Sequence, residues 1–331
     1  MNKKPLVCIC IPCFNNEKTI KETLDSLINQ TYKNIIIKII DNASTDNTVK
    51  IIREYELKYN FITVYENEVN IGAEANFTKC IRELEGEFAG IYHADDIYNA
   101  TIIETQVSYL LEKDISAIFV RANLIDENSN FIGEQFFPKE LKNKEYHQFD
   151  FSHLFSLILK YDNFLITPSV MARTYIYKNI ISHWNGNSFK SSADLDVWLR
   201  FSEYKDIGII TSKLISYRIS NSSYSYRTKF NRFVQRDMFL VIDYYLEKYE
   251  GFNFEDYEYL KFKDSLIVIN NKILNGHNVI FQDIEIKKAL FKRLTDVKKM
   301  KIIVYGLILK FLLFFKLKKI LYILIKKINK I

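Results

Sequence analysis

Glycine and proline are scarce in this chain, nine and four among 331 residues. Their scarcity removes the low-complexity and disordered compositions. With 48% apolar and 26% charged residues, the balance is that of a folding globular chain. At this length it accommodates one large α/β domain with an appendage, or two small domains. Cysteine is also rare. Cys8, Cys10 and Cys13 share the first strand-like run and Cys80 stands apart, so they read as buried small hydrophobes rather than a metal site. Reduced cysteines fit the cytoplasm. A secretory leader is not expected: Met1-Asn2-Lys3-Lys4 precedes only a short apolar run, interrupted by Pro12 and Asn15, without a small-residue cleavage site. Aromatic residues, by contrast, are plentiful at 15%. They imply large buried areas and no particular chemistry.

Acid is nearly absent from residues 287–331, where fourteen Lys and Arg face the single Asp296. That segment carries +13 of a net charge of +6, which leaves the rest of the chain at −7. An anionic partner is therefore to be sought at this end alone.

Alternating apolar runs and amphipathic stretches predict strands at Leu6–Ile11, Asn34–Ile40, Phe61–Tyr65 and Phe88–Tyr92. Helices are expected at Glu17 to about Gln30, from a cap at Ser44 or Thr45 through Tyr55, and over Ala75–Leu84. This alternation indicates an α/β fold with a doubly wound, mostly parallel sheet flanked by helices. The pattern becomes less regular through Ala117–Arg121 and Phe131–Phe137, then gives helices near Phe151–Tyr161 and at Ser191–Tyr204, and a strand-like Ile207–Ile219. From about Phe230 everything reads as helix. A boundary near Tyr226–Lys229 divides a first domain, 1–228, from a helical C-terminal region, 229–331.

Ligands of such sheets bind outside the carboxyl ends of the strands. Those ends carry Pro12-Cys13-Phe14-Asn15, Asp41-Asn42-Ala43-Ser44 and His93-Ala94-Asp95-Asp96. Two adjacent acids at a strand end call for a cation. Hard divalent ions prefer carboxylate oxygens and complete their shell with substrate phosphates. Asp41 also suits an Asx-type turn before the next helix, and its segment lacks the glycine and distal Glu of a calcium loop.

In order and spacing, Val7–Glu17, Asp41–Thr48, Asn70-Ile71-Gly72 and Ala94-Asp95-Asp96 resemble the inverting glycosyltransferases of family 2, which have a GT-A fold. The likeness covers roughly residues 5–225. It implies transfer of a sugar from a nucleotide-diphosphate-sugar, with UDP the expected nucleotide, to an acceptor hydroxyl of a glycan or lipid-linked glycan of the cell envelope. Pro12, Phe14, Asn15 and Glu17 would then lie against the base and ribose, with Asp41 accepting a hydrogen bond from the base. Asn70 and Gly72 join the donor side. Asp95 and Asp96 would contact the ribose and hold Mn²⁺ or Mg²⁺ at the diphosphate. Ala193–Arg200 is similar to the family's Glu-Asp-x-Asp-x-Trp-x-x-Arg helix, which makes Asp194 the general base. Ser169, within Thr167–Met171, and Trp198 are implied on the acceptor side. Arg218, within Ile215–Ser220, is implied near the diphosphate. His93 stands where many members have an Asp and is left to a local hydrogen bond. Ser220 replaces a frequent His, for which Arg218 or Arg227 would compensate, and Ala193 replaces a Glu.

Such chemistry needs two carboxylate sites. One, with its metal, stabilises the leaving diphosphate, and the other takes the proton of the attacking hydroxyl from across the sugar. In the tail, Ile302–Phe315 is nearly all apolar. As helix, its fourteen residues span about 21 Å, short of the roughly 30 Å of a hydrocarbon core. Flanked by lysines, the tail at about 298–331 reads as helices lying on an anionic membrane surface at the cytoplasmic face. The alternative is helices packed on the catalytic domain with lysines facing water. Nucleic acid is not expected, because the lysines are interleaved with large aliphatics and arginine is nearly absent there. One rival function is a sugar-nucleotide nucleotidyltransferase, which needs a glycine-rich phosphate loop where this chain has Pro12-Cys13-Phe14-Asn15-Asn16. Another is a non-catalytic scaffold on a decayed transferase fold. Retention of Asp41, Asp95, Asp96, Asp194 and Trp198 argues against decay.

Overall fold

The computed structural model describes residues 4–219, 232–287, Leu290 and 296–328. The expected boundary at Tyr226–Lys229, with Ser220 and Arg227, lies outside the described residues. The chain falls into two compact units: residues 1–155 with 163–220, and residues 156–162 with 221–331.

The first unit is built on one mixed sheet. Its strands are β1 (Val7–Cys13), β2 (Ile35–Asp41), β3 (Ile62–Glu66), β4 (Phe88–Ile91), β5 (Ile97–Tyr98), β6 (Ala117–Ile125), β7 (Phe131–Glu134), β8 (Tyr146–Phe149), β9 (Met171–Arg173) and β10 (Ile207–Arg218). The order is β3-β2-β1-β4-β9-β6-β10-β5, with β7 beside β6 and β8 beside β10. β3, β2, β1 and β4 are all parallel. β1, β2 and β4 are buried along most of their length, as befits strands covered by helices, whereas β3 exposes Thr63 and Glu66. Helices α1 (Ile20–Ile28), α2 (Thr48–Lys58), α3 (Ala73–Glu83), α4 (Ile102–Glu112), α5 (Phe151–Tyr161) and α6 (Ala193–Tyr204) follow in chain order, with α5 passing from the first unit into the second at Ser156. α1 buries Ile20, Thr23, Leu24 and Leu27, a stripe at helical spacing.

The α/β expectation holds, with local corrections. Neither Ser44 nor Thr45 caps α2; the Asp46 carboxylate accepts from the Thr48 amide at 2.9 Å instead. β9, only three residues long, gave no periodic signal. It enters antiparallel to both β4 and β6, and Gly90 permits the approach, since a Cβ there would come 3.1 Å from the Val170 carbonyl oxygen. All four cysteines are free and buried.

The second unit contains α7 (Met238–Lys248), α8 (Phe254–Leu274), α9 (Val297–Phe314) and α10 (Lys318–Ile328). Tyr259, Phe262, Leu266, Ile303, Leu309 and Leu321 form part of its core. A buried Asp264 binds Arg232 at 2.6 and 2.7 Å and Arg236 at 2.8 Å. No described helix is long and apolar enough to cross a membrane.

Candidate active site

The loops leaving β1 and β2 are tied to each other before they meet any ligand. Asn15, in a left-handed conformation, donates its amide to Ser44 Oγ at 2.9 Å and accepts from the Thr45 amide at 2.8 Å. The Asn16 amide reaches Thr48 Oγ1 at 2.7 Å, and the Glu17 amide reaches Asp46 at 3.1 Å. The Glu17 carboxylate accepts from Asn47 twice, at 3.0 and 2.8 Å. Asp41 is fully buried, and its oxygens accept from the amide and hydroxyl of Ser44 at 2.8 and 2.5 Å. Asp41, Asn15 and Glu17 thus shape these loops through their own hydrogen bonds. Asn42 performs the same task for the next loop. It donates to Asn70 Oδ1 at 2.9 Å and accepts from the Ile71 amide at 3.0 Å. Gly72 then opens α3 at φ +86°, a conformation that glycine tolerates without strain.

Between these loops lies a cavity of about 280 Å³. Pro12, Phe14, Asn16, Asn70 and Asp95, in segments expected from sequence, line it; so do Asn42, Asn76, Phe77 and His93, which were not assigned to the donor. Asn76 and Phe77 project from α3, a helix whose amphipathic pattern gave no hint that one side faces a ligand. A wider groove of about 780 Å³ runs along the same helix, between Glu74, Thr78, Arg82 and the segment His183–Lys190.

At the floor, His93, Asp95 and Asp96 bring one ligand atom each to within 4.8 Å of one another. Asp96 is fully buried. Its Oδ1 accepts the Arg218 amide at 2.8 Å, whereas Oδ2 is buried without a partner, as is His93 Nε2. Burial, then the neighbouring charge of Asp95, pushes the Asp96 carboxyl well above its usual range, against the Arg218 amide and guanidinium. Burial also lowers the His93 imidazole. Unpaired carboxylate and imidazole atoms converging beside a cavity fit a divalent cation. His93, set aside from sequence, therefore belongs to the candidate set, and its neighbours Asp95 and Asp96 were legible.

Arg218 reaches this site from β10. It is only 4% exposed. Its guanidinium donates to the Asp95 carbonyl at 2.7 Å, to the Asp126 carbonyl and Ser129 Oγ at 3.0 Å each, and to Glu22 at 2.5 Å. It braces the backbone that carries the acid pair. β10 delivers it there by pairing antiparallel with β5, Ser216 opposite Ile97.

The second carboxylate site comes from the antiparallel register Gly90↔Met171. It sets the residues before β9 beside the carboxyl end of β4, and so on the same sheet edge as His93–Asp96. Thr167 stands in that stretch and donates its hydroxyl to Asp194 Oδ2 at 2.7 Å. Asp194 lies in the first turn of α6 and is half-buried. Burial raises its carboxyl above the ordinary range, opposed by the Thr167 hydroxyl and by backbone amides. Ser169 and Trp198 lie in the core. Ser169 is fully buried and donates to the Ile166 carbonyl at 2.6 Å. The Trp198 ring, 1% exposed, packs edge-on against Phe119 and Trp184 at 5.2 and 5.8 Å.

A parallel nucleotide-binding half joined to a mixed half, with acidic groups gathered at the strand ends, defines a glycosyltransferase of the GT-A type. The chain belongs to glycosyl transferase family 2, which it matches over residues 8–166. It is 32% identical over 223 residues to an uncharacterized glycosyltransferase of Methanocaldococcus jannaschii, covering 66% of this chain and 72% of that one. It is 26% identical over 223 residues to the Escherichia coli UDP-Glc:alpha-D-GlcNAc-diphosphoundecaprenol beta-1,3-glucosyltransferase WfgD, covering 66% and 79%. Its fold is similar to that of Staphylococcus aureus TarS 1–349 in complex with UDP-GlcNAc, with a TM-score of 0.56 for a longer TarS chain, 43% of which is covered, and 0.53 for the complex. In the complex the identity is 17%, over 88% of this chain and 73% of TarS.

Proposed function

We propose that this transferase moves a sugar from a UDP-sugar to a hydroxyl of a lipid-linked glycan with inversion at the anomeric carbon, in a reaction that depends on Mn²⁺ or Mg²⁺. The observation that carries the reading is one sheet edge holding two carboxylate sites of different character. At one, His93 Nε2 and Asp96 Oδ2 are buried without a hydrogen-bond partner, next to Asp95 and beside the cavity. At the other, Asp194 is held by Thr167.

The cavity receives the nucleotide, with Pro12 and Phe14 offering apolar contact and Asn16, Asn42 and Asn70 offering polar edges. Asp95 and Asp96, with His93, would hold the cation, which would supply positive charge for the departing diphosphate. Arg218 keeps the acid pair in place from behind. Asp194 accepts the acceptor's proton as its oxygen attacks the anomeric carbon. The Thr167 bond fixes the carboxylate and favours its ionised form. The E. coli relative, named for a diphosphoundecaprenol-linked acceptor, supports an acceptor of that chemistry, and the tail supports peripheral attachment to the cytoplasmic face of a membrane.

The test is a panel of UDP-sugars, with Mn²⁺ or with EDTA, scored by UDP release and thermal stabilisation. Stabilisation by at least one UDP-sugar that disappears with EDTA is expected. A panel without any response, or one indifferent to EDTA, refutes the reading.

A further inference from the structure

The second unit ends in two helices whose outer surface is apolar. On α9, Val304, Leu307, Ile308, Phe311 and Phe314 recur at helical spacing, and each is 41–58% exposed. The opposite face is already occupied. Ile303, Leu309 and Leu312 are buried in the unit's core, and Gly306 lies so close to the Phe262 ring that a Cβ would collide with it. α9 therefore has two apolar faces, and among the described residues the outer one meets only the Phe281 ring, edge-on to Phe314 with centroids 5.3 Å apart. α10 continues the outer face with Ile320 and Ile323, 54% and 63% exposed.

The two helices meet at a tight elbow. The Leu317 amide donates to the Leu312 carbonyl at 2.9 Å and the Lys316 amide to that of Leu313 at 3.1 Å, with Lys316 at φ +56°. This is the left-handed helix terminus usually given to glycine. Here it puts an exposed lysine directly after the cluster of Phe311, Phe314 and Phe315, where the Phe315 ring lies tilted to Phe311 and edge-on to Phe314 with centroids 4.6 and 5.0 Å apart. Lys301, Lys316 and Lys319 are exposed with no acidic partner among the described residues. Lys299 and Lys310, by contrast, are tied down on Asp256 and the Ile284 carbonyl.

We infer that the α9–α10 elbow is a membrane-docking edge: Phe311, Phe314 and Phe315 enter the headgroup boundary of an anionic leaflet while Lys301, Lys316 and Lys319 engage its lipid phosphates. This rests on the peripheral attachment proposed above and assigns it to particular side chains. The occupant is argued from charge. Unpaired lysines rim the apolar stripe, and acid is nearly absent from this part of the chain, so an anionic surface complements it. A helix lying in the plane exposes one apolar face to lipid and gives the other to the protein, which is the division seen on α9.

The test uses the full chain with vesicles of 30% phosphatidylglycerol in phosphatidylcholine and with pure phosphatidylcholine, at low and high salt. Wild type should bind the anionic vesicles. Replacing Lys301, Lys316 and Lys319 by Gln should weaken binding about fivefold per residue and remove most of its salt dependence. Replacing Phe311, Phe314 and Phe315 by Ser should weaken binding about tenfold per residue while the salt dependence persists. UDP-sugar stabilisation should match wild type in both, which separates docking from the donor site. Anionic-vesicle binding unchanged by the Phe replacements overturns the elbow but leaves peripheral attachment standing. No vesicle binding by wild type overturns both. A wild-type dimer in sedimentation that the Phe replacements dissociate, without effect on vesicles, assigns the stripe to a second copy and also overturns the proposal.

Discussion

Thr167→Val isolates the hydroxyl that supports Asp194 while keeping the side chain's shape. The Thr167 hydroxyl is 2.7 Å from Asp194 Oδ2 and donates to it. Burial raises the Asp194 carboxyl, and this bond opposes the rise. A hydrogen bond to a charged group contributes about 1.5–3 kcal/mol, and each 1.4 kcal/mol is tenfold in an equilibrium. The sign follows directly. A general base works when deprotonated, so activity falls as pH drops through the carboxyl's titration. Losing the bond moves that titration to higher pH. Below it, kcat/KM should fall by about 10- to 100-fold, and raising the pH should restore nearly all of the loss. The assay is UDP release across a pH series, with GlcNAc-diphosphoundecaprenol as acceptor, the lipid in the E. coli relative's name. A loss of equal size at every pH would mean that Thr167 only positions Asp194. An unchanged profile would remove Asp194 as the titrating group.

Asp194→Asn, which cannot take a proton, should lower kcat by about 10²–10⁴-fold while UDP affinity stays near wild type. Asp96→Ala should abolish the difference in UDP affinity between Mn²⁺ and EDTA, measured by calorimetry; a preserved difference would place the cation elsewhere. Trp198→Ala should destabilise the fold by about 3–5 kcal/mol, seen as a lower denaturation midpoint, without a selective rise in acceptor KM.

The parallel half of the sheet was legible because its strands are continuous β-branched runs with polar residues at their ends. Asp95 and Asp96 were visible as adjacent acids just past an apolar strand, whereas Asp194 was reached through the resemblance of its helix to the family's. β9 was not legible. Three residues set no period, and its direction follows from a tertiary pairing. Burial also decides between roles that sequence leaves equal. Trp198 and Ser169 occupy positions that suggest contact with a substrate, yet the helix and turn that carry them point inward. Arg218 was found at the correct end of the site but facing the protein, because four carbonyl, hydroxyl and carboxylate acceptors surround it. His93 was discounted as a lone histidine, and only the folded chain brings its ring to the acids.

The cross-ties between the loops after β1 and β2 bear on how the donor is received. Asn15, Asn16 and Glu17 are fastened to residues about thirty positions later, all within one strand–helix–strand unit. These bonds form as that unit folds, so the nucleotide's half of the cleft is in shape before any ligand arrives. Ordering side chains and loops subtracts from affinity in most recognition events. Here that subtraction has already been made by the folding of the first unit. Nucleotide capture should accordingly be fast, with a small unfavourable entropy, and should discriminate by rejecting misfits instead of remodelling around them. A cleft of this kind reads the base rigidly and leaves adaptability to the far side of the sugar, where the acceptor arrives.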